Sequence, residues 1–253
     1  MQIPTKRSRR DLFMRRVAVL AASGAMAGGL LVAVVPPPAA LASGSSTLAQ
    51  AKKDLLVRSD MPKGWFTESG TANTQNGEYP AGPNFAQCLG EPANFPAAAP
   101  PEVDSPYYQN KDGSLEVQDS ITVFANAAQA TSSFGALANP KLEGCATTLL
   151  NDYLSANPPK GGTVGTATVS PPLGSKFGPA TDGFVEVAPI TAQGEKATAT
   201  TTTVFFLRGV VGQQLDFSVY SAPGSSGTFP AALIRQLTTL AQKRLGSGPT
   251  HSS

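Results

Sequence analysis

From residue 114 onward the chain switches between two hydrophobic periods. In SLEVQDSITVF, Ser114 to Phe124, the residues Leu115, Val117, Ile121 and Val123 share one face at a period of two, which predicts a strand. Asp119 falls on the same face. Asn126 then stands where it can cap a helix carrying Ala127, Ala130, Phe134 and Leu137, and Asn139-Pro140 ends it. A second helix follows with Leu142, Cys145, Leu149 and Tyr153 on one stripe, ending before Pro158. Period two returns in a short edge-like segment over 164–169, a strand over 183–190, and a pair over 198–207 and 210–220 joined at Arg208-Gly209 as a hairpin. A last helix opens at Pro230, carries Leu233, Ile234, Leu237, Leu240, Ala241 and Leu245, and is closed by Gly246. Residues 247–253 read as a disordered tail.

Upstream the pattern is weaker. Leu48, Ala51, Leu55 and Leu56 recur at helical spacing behind Ser46 and Thr47, and Pro62 and Gly64 place the end of that helix near Arg58. Trp65 and Phe66 open a short extended segment. Between Ser69 and Ser114 the prolines at 80, 83, 92, 96, 100, 101 and 106 break any regular element, so a long loop is expected there. There is no internal repeat. The order helix, strands, two helices, antiparallel strands, helix predicts a single α+β domain over 43–246, a central antiparallel sheet with helices packed on it in two layers or a sandwich.

The first 42 residues read as an export signal. Six basic residues, Lys6 to Arg16, stand against Asp11 alone. An uncharged stretch, Val17 to Val35, follows, and Ala40-Leu41-Ala42 supplies a small-x-small site with cleavage between Ala42 and Ser43. Retention as an anchor is the alternative, and the one route by which this chain would hold a membrane. Ser8-Arg9-Arg10-Asp11-Leu12-Phe13 resembles the twin-arginine export motif, with a general secretory signal as its alternative. Either route places the product outside the cytoplasm, secreted or associated with the cell wall. The signal carries a net +5 of the chain's +2, so residues 43–253 carry −3. A slightly acidic chain with no basic cluster longer than Lys52-Lys53 is a poor binder of nucleic acid.

Cys88 and Cys145 are the only cysteines, and two cysteines in an exported chain are expected to pair. The bridge would tie the Pro-rich loop to the second middle helix, and closing a loop of that length is worth about 4 kcal/mol in the chain-entropy model. Two buried free thiols are the alternative. Two thiolates leave a zinc shell half empty.

The single histidine, His251, lies in the tail, which argues against a Ser-His-Asp triad, a Cys-His pair or a histidine zinc site. No phosphate-binding or dinucleotide-binding glycine motif occurs, and no cofactor is expected. The carboxylates are scattered along the sequence, but a hydrolase needs only two of them together in space. Asp119 has two readings: the strand face opens to solvent there, or the carboxylate marks a cleft. Trp65 reads as a core anchor. Tyr107 and Tyr108 must point to opposite sides if extended, one into the core and one free to line a pocket. Arg208 reads as a solvated turn residue, and Thr200 to Thr203 as strand propensity.

The run Leu55-Leu56-Val57-Arg58-Ser59-Asp60-Met61-Pro62-Lys63-Gly64-Trp65 resembles a leucine pair followed by Asp-[Leu/Met]-Pro-x-Gly-[Trp/Tyr], found near the start of exported actinobacterial domains similar to the extracellular sensor domain of mycobacterial PknH-type Ser/Thr kinases. The middle helix with its cysteine, the late strand-turn-strand with Arg-Gly and the helix after Phe229-Pro230 extend the resemblance. It implies a sheet sandwiched by helices and a cleft for an unidentified ligand. Two departures stand out: the kinase sensor is expected to hold two disulfides, and no kinase domain is joined to this one. The expectation is therefore a non-enzymatic, exported ligand-binding or sensor-like domain, with Tyr107, Tyr108 and Asp119 lining its cleft. The alternatives are a cell-envelope protein–protein interaction module without a small-molecule site, and a hydrolase using a carboxylate pair.

Overall fold

The computed structural model describes residues 48–67, 74–75, 88–90, 100–156, 162–171, 173–178, 180–192, 195–225 and 227–247. The expected signal with its Ala42–Ser43 junction, most of the Pro-rich loop and the tail beyond residue 247 lie outside them.

The described strands form one antiparallel sheet: β1 (Phe66–Thr67), β2 (Thr74–Gln75), β3 (Glu102–Asp104), β4 (Tyr108–Gln109), β5 (Leu115–Val123), β6 (Gly162–Val164), β7 (Thr168–Val169), β8 (Thr181–Ala192), β9 (Glu195–Arg208) and β10 (Val211–Ser221). The main path runs β1-β4-β5-β10-β9-β8-β6, with β3 also on β5, β2 on β3 and β7 on β8. The helices are α1 (48–54), α2 (Ala127–Gly135), α3 (Leu142–Ala156) and α4 (Ala231–Ser247). The fold is α+β, as the alternation of periods predicts. Among the described residues no helix is long and apolar enough to cross a membrane.

Two apolar clusters lie on opposite faces of the sheet. The larger joins Val117, Ile121, Leu215 and Phe217 to Ala51 of α1 and to Ile234, Leu237 and Ala241 of α4. Phe229 connects them, with its ring 5.2 Å from Phe217 and 6.3 Å from Trp65. The smaller cluster sits on the other face, where Phe184, Ala188 and Phe205 pack under α2 and α3. On α3 the buried stripe runs through Leu142, Cys145, Ala146, Leu150 and Leu154, with Leu149 at its margin. Cys88 and Cys145 form a disulfide, and Leu89 beside it is buried in this cluster.

Local chemistry sets the element ends. Asn126 caps α2, its Oδ1 accepting from Gln129 N–H at 2.9 Å. The β9–β10 turn needs a left-handed residue, and Gly209 supplies it at φ +60°. Asn151 of α3 divides the expected 164–169 segment into β6 and β7. Its amide accepts from Ala167 N–H at 2.8 Å and donates to Ala167 O at 2.9 Å, taking the place of ladder bonds.

Four expectations are corrected. The first helix ends at residue 54, short of Arg58, because the sheet takes the backbone groups of Leu56 (described below). The last helix passes through Gly246 to Ser247, and Arg208 is no idle turn residue: its Nη1 donates to Leu245 O at 3.1 Å and so caps the helix C-terminus. The Pro-rich stretch is not loop throughout, since β3 and β4 pair with β5 from within it.

Candidate functional site

The Asp-Met-Pro-x-Gly-Trp run builds a clasp between the first helix, the sheet and α4. Asp60 Oδ2 accepts from Val57 N–H at 2.6 Å, and Asp60 Oδ1 pairs with Arg244 at 2.7 Å. The other arm of Arg244 donates to Leu55 O at 2.7 Å. Trp65 N–H closes a turn onto Pro62 O at 3.2 Å, with Gly64 at φ +92° inside it. Trp65 is thereby placed in the core.

Asp119 is the sheet's side of this clasp. The strand face does not open to solvent there: Asp119 is fully buried. Its Oδ2 accepts from Leu56 N–H at 2.6 Å, and Gln213 Nε2 donates to both of its oxygens at 2.8 and 2.9 Å. Tyr108 OH donates to Leu56 O at 2.9 Å, so one residue of the incoming chain is gripped at both backbone groups. Burial pushes the Asp119 carboxyl up to about 7, against the pull of the Leu56 and Gln213 hydrogen bonds and the nearby Arg244. Asp119→Ala leaves two buried donors unpaired and is expected to cost about 2–3 kcal/mol. Asp119→Asn keeps an acceptor and is expected to cost clearly less. Urea midpoints of the two variants test this, and equal midpoints would remove the hydrogen bonds as the cause.

The opposite face carries different chemistry. Residues directly paired across antiparallel strands share a face. Glu102 pairs with Thr122, and Asp104 with Ser120 and onward Gln214. Gln118 pairs with Asp216 and onward Thr203. Gln109 pairs with Glu116, Ser218, Thr201 and Glu186 in turn. This lattice spans β3 to β8 on the face that also carries the smaller cluster, where Thr203 pairs with Phe184 and Gln214 with Phe205, and none of its own side chains belongs to either cluster. Glu116, Ser120, Thr122, Glu186, Gln214 and Asp216 are nonetheless buried.

Most of these groups bond one another. Thr122 Oγ1 donates to Glu102 at 3.0 Å, and Ser120 Oγ to Asp104 at 2.7 Å. Thr203 Oγ1 donates to Asp216 at 2.8 Å, and Gln214 Nε2 to its other oxygen at 2.9 Å. Gln109 Nε2 donates to Glu116 at 2.6 Å, with Tyr220 OH at 3.4 Å from its second oxygen. Glu102 and Asp104 lie within side-chain hydrogen-bonding reach of each other, a contact that raises Glu102 and lowers Asp104. Glu186 Oε2 is buried with no hydrogen-bond partner among the described residues.

Burial raises the acids of this face. Glu102 is pushed up to about 8 by burial, then by Asp104 and Asp216. Glu186 is pushed to about 8 by burial and then by Asp216, and Asp216 to about 7 by burial, with Asp104 adding to it. Asp104 is raised by burial. Among the described residues, the charged neighbours that raise Glu102, Glu186 and Asp216 are other carboxylates, Asp104 and Asp216. Among the described residues no group of His, Cys, Asp or Glu is arranged to hold a metal ion.

Of the three residues expected to line a cleft, Tyr107 reaches this face. It is half-buried and hydrogen-bonded to Gln118, and its hydroxyl is raised by burial and then by Glu116, Asp216 and Asp104. Tyr108 and Asp119 lie on the other face, beneath the clasp. Cys88 and Cys145 belong to the second cluster, with Cys88 exposed and Cys145 buried. The acids of the polar lattice were not singled out by sequence reasoning. The alternation of Glu116, Gln118, Ser120 and Thr122 on β5 is a signal for a second polar face, but in a sequence it looks the same as a solvated one.

Neither a family model nor a curated protein matches this chain. Among solved structures, the crystal structure of the extracellular domain of PknH from Mycobacterium tuberculosis is similar at a TM-score of 0.35 and 12% identity, covering 77% of this chain and 92% of that one. The likeness is weak, and the reading of the polar face does not rest on it.

Proposed function

We propose that this chain is an exported, non-catalytic binding domain of sensor-like type, and that its ligand site is the polar face of β3, β5, β10, β9 and β8. The observation that carries this reading is the buried lattice of carboxylates and amides, with Glu186 left unpaired inside it. Burying charged groups without counter-charge is costly, and a fold tolerates it where the groups have another task. Tyr107, Glu102, Gln118 and Ser218 are only partly buried and mark where the face is reachable. Tyr108 and Asp119, in this reading, hold the clasp, and the bridge at Cys88 ties Leu89 to α3.

The hydrolase alternative draws on Glu102 and Asp104, two raised carboxyls in contact. A glycosidase pair stands roughly 5–9.5 Å apart with the scissile bond between. Direct contact leaves no such space, which favours binding over hydrolysis.

The test is native mass spectrometry of the protein secreted by its own host, beside the Glu186→Gln/Asp216→Asn variant. The expected result is a companion mass on the wild type that leaves on denaturation and is missing from the variant. A companion mass retained equally by the variant would move the site elsewhere. A bare wild-type chain would shift the reading to a protein partner at the cell envelope.

A further inference from the structure

We infer that the ligand of the polar face is an extended organic cation carrying two or more ammonium groups, a polyamine or a molecule built like one. The inference rests on the polar face being the binding site and adds the chemistry of its occupant.

The first ground is the imbalance of donors and acceptors. Thr122, Ser120, Thr203 and Gln214 supply hydrogen bonds to Glu102, Asp104 and Asp216, but Glu186 Oε2, with the residue only 4% exposed, receives none. An unpaired buried acceptor calls for a donor, and the charge around it calls for a cation. The second ground is the sign of the field. The charged neighbours that raise Glu102, Glu186 and Asp216 are themselves carboxylates, Asp104 and Asp216 among them, so the field they add at this face is negative.

The third ground is spacing. Adjacent strands lie about 4.8 Å apart and residues rise about 3.4 Å along a strand, so Asp216 on β10 and Glu186 on β8, two strands across and two residues along, are roughly 12 Å from each other in the sheet plane. Asp104 on β3 stands two strands to the other side of Asp216, across β5. A single metal ion needs its carboxylates converging on one point at little over 2 Å, and no described group does so. A chain with ammonium groups separated by several methylenes matches carboxylates spread over neighbouring strands. Each N–H then donates to one acid while the methylenes lie along Thr201 and Thr203. Tyr107, half-buried beside Gln118, offers a ring for a further cationic end.

The experiment is an amide-resolved NMR titration of the intact chain at pH 8 in physiological salt with three probes in turn: spermidine, maltose and calcium ion. Expected is that spermidine alone shifts the amides of residues 102–104, 116–120, 186 and 214–216, with affinity at least tenfold weaker in Glu186→Gln. The same variant is expected to melt no lower than wild type, since it loses a buried repulsion with Asp216, and this separates a binding role from a structural one. If maltose or calcium moves these amides and spermidine does not, the site stands and the extended organic cation is overturned. If spermidine binds equally to Glu186→Gln, its association is a surface charge effect and the inference fails. If no probe moves the face, both the inference and the site it rests on are lost.

Discussion

Raising the pH from 5 to 9 is expected to destabilise the folded chain steeply. Glu102 and Glu186 titrate near 8 in the fold, and Asp119 and Asp216 near 7, against ordinary values near 4 when unfolded. At the acid end all four are neutral in both states and cost nothing. As the pH rises through 4 to 5 the unfolded chain releases these protons while the folded chain retains them. Stability therefore falls across the window from about 4 to about 8, by roughly 1.4 kcal/mol per pH unit for each group fully in that window. Urea midpoints at pH 5, 7 and 9 are the measurement. The Glu186→Gln/Asp216→Asn variant should show a flatter fall. A midpoint that climbs with pH would mean that the polar face is neutralised by a partner group in the folded chain.

Loss of the Cys88–Cys145 bridge is the second large effect expected. The sequence separation is 57 residues, and releasing a loop of that length restores chain entropy to the unfolded state worth about 4 kcal/mol. Leu89, buried against α3 beside the bridge, would lose its tether as well. The Cys88→Ala/Cys145→Ala double variant is expected to melt roughly ten degrees below wild type. Reduction with a thiol should lower the wild type to the same temperature and leave the variant unmoved. A variant as stable as the wild type would show that α3 and Leu89 hold without the staple.

Different features of the molecule were legible in the sequence to different degrees. The β9–β10 hairpin was readable because β-branched and aromatic residues run on both sides of the Arg208-Gly209 turn over more than twenty residues. The disulfide followed from cysteine number and compartment alone, since only one pairing exists. Asp119 stood out as an anomaly, but its meaning did not, because Leu56 is 63 positions away and only the folded chain brings its N–H to the carboxylate. β3 was hidden by flanking prolines, and three residues are too few for a period to register. Thr201 and Thr203 were read as propensity, yet their hydroxyls bond Ser218 and Asp216 across the hairpin. The polar face escaped for a physical reason. Period two says which side chains share a face, but not whether water covers it.

The pairing of β5 with β10 bears on how the chain can be made. Val123 lies opposite Val211, and Leu115 opposite Val219, so the two middle strands are joined across 88 to 104 residues of sequence. Contacts of that span form late and slowly, because so much chain must first be confined. On a ribosome, the strands on either side of the gap, β5 and β9, emerge before the strand that fits between them. A nascent chain stopped at residue 200 would own two half-sheets and no way to join them. Folding of this protein is therefore an event of the finished polypeptide rather than a process that tracks its synthesis.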